Sequence, residues 1–481
     1  ANLTYDNREG TIIFNCGKAK KVLVVSQGLK EVIIADENNV FNVPAEGGNV
    51  IINYQTSVEC EVIIPEEAKS WISVAPDTRA MKKQTITLML EPNEGYRRSA
   101  TVIVQSYDGA LELEYLVEQN GGLEIRAERE ALIELYKATG GDNWINNTNW
   151  CTDAPVSSWH GITTGAELGL SDYADNVIEI ALDNNNLTGA ITSELAAFSQ
   201  LKGLFVQWNN ISGVDISHNY NLESLACFRS NITELDTDNN PKLRDINCSE
   251  SPICELNLSN NSQLVFLDCF RCDLKELDVS NLTQLKYLYC NENPITSLDV
   301  TDNINLEWLF CHAMELSSLD ISNCPKLTEL SCWGNDLKVL DVSNNRELYL
   351  LWCGSTNISE LDLSNNPKLK SFDCLGNFIS VIDFSNNTLL EYIGVASNRL
   401  RELDVSCCPK LATLNCSDNP ELSVVYIDGT HYFDDFKDPF TVFIDKNTGE
   451  IIDNLHYIST DYSQDSAVTI LQTATKGDGI D

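Results

Sequence analysis

Between residues 201 and 411 a leucine returns every 21 residues, at Leu201, Leu222, Leu243, Leu264, Leu285, Leu306, Leu327, Leu348, Leu369, Leu390 and Leu411. A fixed period of this size makes each unit one coil of a solenoid, which cannot bury its own apolar face and must stack on its neighbours. In the unit LKYLYCNENPITSLDVTDNIN the apolar positions are Leu285, Leu288, Cys290, Ile295, Leu298 and Val300. The first three alternate with polar or exposed residues, as in a short strand buried on one face, and the last three line the return path. Each coil is thus expected to add one strand to a parallel sheet. With strands about 4.8 Å apart, the coils predict a sheet on the order of 50 Å long.

The sixth position of the coil is a cysteine at Cys227, Cys248, Cys269, Cys290, Cys311, Cys332, Cys353, Cys374 and Cys416, and valine at Val206 and Val395. A column that exchanges Cys for Val is read as small buried hydrophobes with free thiols. Of the 17 cysteines, those outside this column show no CxxC pairing, and Cys254 with Cys272 is the one disulfide candidate on adjacent coils.

The pattern L-x-x-L-x-C-x-x-N-x-I-x-x-L-D-V-S resembles a leucine-rich repeat, of the 21-residue type with a cysteine column found in some internalin-like bacterial surface proteins. The resemblance implies a right-handed α/β-type solenoid whose parallel sheet forms a concave, partner-binding face. Upstream, the order FNVPAEGGNVIINYQ, SWISVAP, TITLMLEPNEGYRRSATVIVQS, LVEQNGG resembles the BACON domain, a β-sandwich common in surface proteins of gut Bacteroidetes and proposed to bind carbohydrate. Its short alternating runs, punctuated by Gly, Pro and Asn, also read as an all-β, immunoglobulin-like sandwich on their own. Trp71 lies in an apolar run and is assigned to the core.

The expected organisation is therefore multidomain. Residues 1–28 read as the closing strands of a preceding sandwich copy, and residues 29–121 as a BACON-like sandwich that acts mainly as a spacer. Residues 122–176 form a helical, Trp-rich cap: IRAEREALIELYKATGG has helical apolar spacing and ends on glycines. The following stretch, with Trp144, Trp150 and Trp159, resembles the N-terminal cap of plant-type leucine-rich-repeat proteins. Residues 177–422 hold the repeats, the first of 24 residues. Residues 423–481 make a C-terminal cap, with TVFIDKNTGEIIDNL predicted as a hairpin turning at Asn447–Gly449.

Charge narrows the partners. The chain has 71 acidic and 32 basic side chains, a net −39. Residues 1–121 contain 17 acidic and 11 basic groups, so −33 lies on the repeat half. Such a surface repels nucleic acid and anionic lipid; a basic partner or divalent cations fit it. No run reaches the roughly 18 apolar residues of a membrane span, and no signal peptide opens at Ala1, so an exported protein would have lost its signal already. The five histidines are scattered and no catalytic motif surrounds them, so no catalytic residue, metal site or cofactor is expected.

Two further columns concern the turns. Asp215, Asp236, Asp278, Asp299, Asp320, Asp341, Asp362, Asp383 and Asp404 could collect Ca²⁺, but are read as accepting backbone N–H bonds inside the turn that follows. Asn209, Asn293, Asn335, Asn377, Asn398 and Asn419 are expected to satisfy neighbouring backbone groups. Where that column lapses, at Ser230, Ser251, Cys272, Met314 and Thr356, the turns are expected to be looser.

Strand positions three, five and seven should face outward on the concave side, with position eight at the lip. They carry Phe205, Trp208, Phe228, Phe266, Phe270, Tyr287, Tyr289, Trp308, Phe310, Trp333, Trp352 and Tyr392, rimmed by Asp245, Asn247, Asp268, Asn291 and Asp373. Aromatic side chains bring about 150–250 Å² each, so several facing water exceed the apolar patch a monomer tolerates. The candidate ligand-binding residues are Phe228, Phe266, Asp268, Phe270, Tyr287, Tyr289, Asn291, Trp308, Phe310, Trp333, Trp352 and Tyr392. The expectation is a monomeric, exported, surface-anchored or extracellular adhesion protein that binds a host or bacterial surface protein or peptide. Glycan binding by the same face, or by the sandwich, is the alternative. Cross-strand stabilisation alone, in a structural spacer, is the third reading.

Overall fold

The computed structural model describes residues 8–16, 19–27, 33–35, 40–43, 47–56, 60–74, 84–95, 98–107, 110–119, 121–170, 173–428, 435–436 and 442–448. The chain divides into two compact units. One comprises residues 1–137, 146–181 and 197–201, the other residues 138–145, 182–196 and 202–481.

In the first unit, strands Arg8–Cys16 and Ala19–Gln27 pair antiparallel as an isolated two-stranded sheet. Two four-stranded sheets follow. One orders Val40–Val43, Glu112–Gln119, Arg98–Ser106 and Cys60–Ile63; the other orders Ile33–Ala35, Gly48–Thr56, Gln84–Leu90 and Ile72–Val74. Alternate residues of both sheets, among them Ile52, Leu88, Val102, Val104, Tyr115 and Val117, enter one buried cluster. Trp71 belongs to that cluster, and the Arg98 guanidinium lies 4.4 Å from its ring centroid. The helix Gly122–Ala138 follows and ends before Gly140, whose φ of 74° supplies the left-handed stop. The indole N–H of Trp150 donates to the His160 carbonyl (2.9 Å) and that of Trp159 to the Ala154 carbonyl (3.2 Å), so both rings are buried without an orphaned donor. No helix among the described residues is long and apolar enough to cross a membrane.

The second unit holds the coils. Among the described residues, eleven three-residue strands from Gly203–Phe205 to Thr413–Asn415 pair parallel and in register, and Asp435–Phe436 pairs beyond them. The fourth coil position always faces its own kind: Leu225, Ile246, Leu267, Leu288, Leu309, Leu330, Leu351 and Phe372 are aligned from strand to strand and buried. The nine cysteines of the sixth position are all fully buried free thiols. Burial pushes the thiols up, to about 12 at Cys227, Cys290 and Cys332, so they remain protonated packing groups. Cys254 and Cys272 are likewise free, one exposed and one buried, and the candidate disulfide does not form.

The α/β description of the solenoid needs correction. Among the described residues from 202 to 428 there is no helix, and the return path runs as turns and extended backbone. Twenty-one residues per coil, shared among a strand, a lip and a polar turn, leave too few for a packed helix. Side chains stitch this return path instead. Each of the nine turn aspartates accepts the backbone N–H two residues ahead at 2.8 to 3.1 Å, as from Ser280 to Asp278 and Thr301 to Asp299.

Two asparagine columns bind coil to coil. At the ninth position, Asn293 donates to the carbonyls of Cys269 (2.8 Å) and Cys290 (2.9 Å) and accepts from the N–H groups of Cys272 (3.0 Å) and Leu274 (2.9 Å). The lapses in this column are not loose. Ser230 and Thr356 donate to carbonyls three residues back at 2.7 Å, and the Cys272 thiol reaches the Cys248 carbonyl at 3.1 Å, so a hydroxyl or thiol does the work of the amide. Of the five, Met314 alone brings no donor. The second column, at position nineteen, includes Asn240, Asn303, Asn345, Asn366 and Asn387, each of which donates to two carbonyls of the preceding coil, as Asn345 does to Ile321 (3.0 Å) and Cys324 (2.9 Å). Where this column ends in cysteines, two thiols share the amide's role, Cys407 pointing to the Phe384 carbonyl (3.2 Å) and Cys408 to that of Asn387 (3.7 Å).

At the C-terminal side, Val442–Asp445 pairs parallel with Val424–Ile427. The second arm of the expected hairpin lies outside the described residues.

Candidate binding face

Because coil positions four and six point into the core, positions three, five and seven of neighbouring coils form a grid on the other face of the sheet. Position three runs Asp245, Phe266, Tyr287, Trp308, Glu329; position five runs Asp268, Tyr289, Phe310, Ser331, Trp352, Asp373; position seven runs Phe270, Asn291, His312, Trp333.

Six of the sequence-predicted residues meet in one ring network. Phe266 lies against Tyr289 (centroids 5.8 Å), Tyr287 meets Trp308 edge-on (4.8 Å), and Tyr289 contacts Trp308 (6.4 Å) and stacks on Phe310 (4.9 Å, 20°). Phe310 meets the His312 ring at 6.4 Å, and His312 stacks on Trp333 at 4.6 Å and 15°. His312 is the link that sequence reasoning missed. It was legible only as the seventh residue of the coil from Leu306, between Asn291 and Trp333 in the grid. Its Nε2 is 2.9 Å from Asn291 Nδ2 and its Nδ1 is 3.1 Å from Ser331 Oγ. Burial lowers the imidazole to about 4, so it stays neutral at neutral pH.

The others lie apart from this network. Phe228 meets Trp208 edge-on at 6.3 Å, under the Arg229 guanidinium, which sits 3.9 Å from the Trp208 centroid. Phe270 is covered by Arg271 at 5.0 Å. Trp352 donates its indole N–H to Ser371 Oγ (3.1 Å), and Tyr392 donates to Asp373 (3.0 Å). Two expectations are overturned: Phe310 is only 2% exposed and Asn291 only 6%, so neither faces water. The strands lie so close that Tyr289 and His312 cover Phe310, and His312 caps Asn291. Most other rings are half-buried in the same way, and Trp333, at 39%, is the most exposed of the network.

Carboxyl groups bracket the rings. Burial is the largest influence on Asp245, Asp268, Glu329 and Asp373 and raises all four; Asp268 reaches about 6, although the Phe270 N–H (3.1 Å) partly offsets this. Glu329 accepts from the Tyr349 hydroxyl. A Cβ at Gly394 would stand 2.2 Å from the Asp373 carboxylate oxygen, so a larger residue there would displace that carboxyl. At the lip, position eight has positive φ in coil after coil: Arg229, Glu250, Arg271, Glu292 and Ala313 all lie between 51° and 55°. Each aims its N–H at the next coil's carbonyl, as Ala313 does at Trp333 (2.8 Å). Among the described residues no three His, Cys, Asp or Glu side chains are grouped to hold a metal ion.

Residues 61–119 match the family described as "BACON: Putative binding domain, N-terminal". No curated protein sequence matches the chain. Among solved structures, the chain is similar to a functional domain of InlJ from Listeria monocytogenes that includes a cysteine ladder, with 24% identity, 60% of this chain and 76% of that one covered, and a TM-score of 0.38. It is also similar to the LRIM1/APL1C complex (19% identity, 55% and 54% covered, TM-score 0.42). A third is the leucine-rich-repeat ectodomain of the Arabidopsis receptor kinase HAESA, in complex with an N-terminally extended IDA peptide hormone (17% identity, 67% and 50% covered, TM-score 0.38). This chain thus spans about half the length of the latter two. The repeat body is assigned on its own geometry of in-register 21-residue coils, leucine columns and stacked buried thiols. The chain joins a BACON segment to a leucine-rich-repeat solenoid built on a cysteine ladder.

Proposed function

We propose that this is an exported, surface-displayed, monomeric and non-enzymatic binding protein, whose strand grid forms the concave face of a right-handed arc and holds a protein or peptide ligand. The immunoglobulin-like sandwich of residues 29–121 serves as its spacer, with residues 122–176 and 423–481 as caps of the repeats. The observation that carries this reading is the continuous network from Phe266 through Tyr289, Trp308, Phe310 and His312 to Trp333 on the solvent side of the sheet. Cross-strand pairs of this kind stabilise a sheet by only about 0.2–1 kcal/mol each, whereas aromatic anchors inside a polar rim are what a protein partner's hot spot needs.

Ring geometry favours a polypeptide over a sugar. Tyr289 and Phe310 spend a face on each other, and Trp308 is steeply inclined to both tyrosines, so the network offers ridges and clefts for side chains. A sugar needs a flat open ring. Trp333, stacked by one face on His312 and 39% exposed, supports the second reading of glycan binding.

The test is a glycan array run beside a screen of host and bacterial surface proteins and peptides, repeated with Trp308→Ala and Trp352→Ala. Saturable protein or peptide binding that weakens in Trp308→Ala supports the proposal. Hits confined to the glycan array transfer it to the second reading, and full binding by both variants removes the site.

A further inference from the structure

The charges on the grid say what kind of polypeptide fits. Basic side chains at the edges of the face are already paired with the next coil: Arg229 with Glu250, Arg271 with Glu292, Lys286 with Glu307 (3.0 Å) and Lys370 with Glu391 (3.8 Å). The carboxyls inside the grid are not. Among the described residues Asp245, Asp268, Glu329 and Asp373 form no ion pair. Asp245 accepts from the Ser224 hydroxyl (3.2 Å), Asp268 from the Phe270 N–H (3.1 Å) with the Ser249 and Asn247 side chains beside it, Glu329 from the Tyr349 hydroxyl, and Asp373 from the Leu375 N–H (2.9 Å) and the Tyr392 hydroxyl (3.0 Å), all of them neutral donors. The Arg244 charge favours ionised Asp245 but does not outweigh its desolvation, and Glu223 opposes it. Asp268, Glu329 and Asp373 are anions half or more removed from water without a cation, which is costly, and a cation brought by a partner removes that cost; Asp245, which is exposed, is open to the same cation.

Their placement is ordered. Along position three, Asp245 and Glu329 stand at the two ends of Phe266, Tyr287 and Trp308; along position five, Asp268 and Asp373 stand at the two ends of a row that holds Tyr289, Phe310 and Trp352. At about 4.8 Å per strand the bracketing carboxyls are ~19 Å and ~24 Å apart, the reach of about six or seven residues of extended chain at ~3.3 Å each.

Resting on the binding face proposed above, we infer that the ligand is a basic polypeptide segment that crosses the strands, laying an apolar run on the ring network and a lysine or arginine on the carboxyls at each end. A purely apolar segment would leave all four carboxyls as they are or bury them further, and an acidic one would be repelled by a chain of net charge −39.

The experiment is a display library of random twelve-residue peptides selected on the full chain, followed by affinity measurements of the enriched peptides on the wild type, Trp308→Ala, and the isosteric double variant Asp268→Asn/Glu329→Gln. Thermal unfolding of each variant checks that it folds. The expected result is enrichment of apolar peptides with Lys or Arg spaced about six residues apart. Their affinity falls tenfold or more both in the double variant and in Trp308→Ala, and falls in the wild type as salt rises from 50 to 500 mM. Enriched peptides without basic residues, bound equally by the double variant and lost in Trp308→Ala, would overturn this inference and leave the face standing. Enriched peptides bound equally by Trp308→Ala would overturn the face itself. A library that enriches nothing would overturn the inference that a short basic segment is sufficient.

Discussion

Asp268 provides a direct reading of how strongly the grid strains its carboxyls. Burial among Asn247, Ser249, Phe270 and Tyr289 raises its acid to about 6 from an ordinary 3.8. Below the ordinary value the group is protonated in folded and unfolded chains alike, and it costs nothing. Between about pH 4 and 6 the unfolded chain releases the proton while the folded chain keeps it, so stability falls as pH rises; above 6 the loss is constant. Two pH units at 1.36 kcal/mol each set that loss at up to about 3 kcal/mol. Asp268→Asn keeps the acceptor for the Phe270 N–H and removes the titration. The turn aspartates such as Asp278, Asp299 and Asp320 are held below the ordinary range by their Ser and Thr partners, so they lose stabilisation toward acid, but equally in both proteins. In urea unfolding of the repeat body from pH 4 to 8, the variant should match the wild type near pH 4 and exceed it by up to about 3 kcal/mol at pH 7. Parallel curves would refute the claim that the Asp268 carboxylate is held against its preference for water.

The coil-to-coil amides give a second expectation: Asn293→Ala removes four hydrogen bonds from a buried site and should cost on the order of 4 kcal/mol by the same unfolding assay, whereas a loss under 1 kcal/mol would contradict the ladder. At the lip, Ala313→Gly relieves a left-handed alanine (φ 51°) and should raise stability by up to about 1 kcal/mol; a decrease in melting temperature would show that the conformation is not strained.

The solenoid was legible in the sequence because its columns are enforced by stacking. A residue buried at one coil position meets the same position above and below, so the Leu column recurs without a break and the Cys and turn Asp columns with few exchanges, Val206, Val395 and Asn257 among them. What the sequence hid is what neighbours do to each other. Alternation tells which way Phe310 points, but not that Tyr289 and His312 close over it at 4.9 and 6.4 Å. In the sequence His312 reads as a lone histidine and not as a ring in a row. The second amide column, at Asn345, Asn366 and Asn387, is hidden inside SNN, which reads as a turn motif. The left-handed lip was hard to see because glycine holds it only at Gly334 and Gly376, while Arg, Glu, Ala and Ser hold it in most other coils. The lapses at Ser230, Cys272 and Thr356 looked like gaps because residue names differ, although their donors reach carbonyls of the same set.

The central claim is that ligand binds on the ring network of the sheet. The most direct measurement compares the affinity of the wild type for its tightest selected ligand with those of Trp308→Ala and Val339→Ala, the latter a 73% exposed apolar residue outside the strand grid. A loss of tenfold or more, above about 1.4 kcal/mol, in Trp308→Ala with less than a twofold change in Val339→Ala is the predicted result. Equal affinities across all three proteins would contradict it.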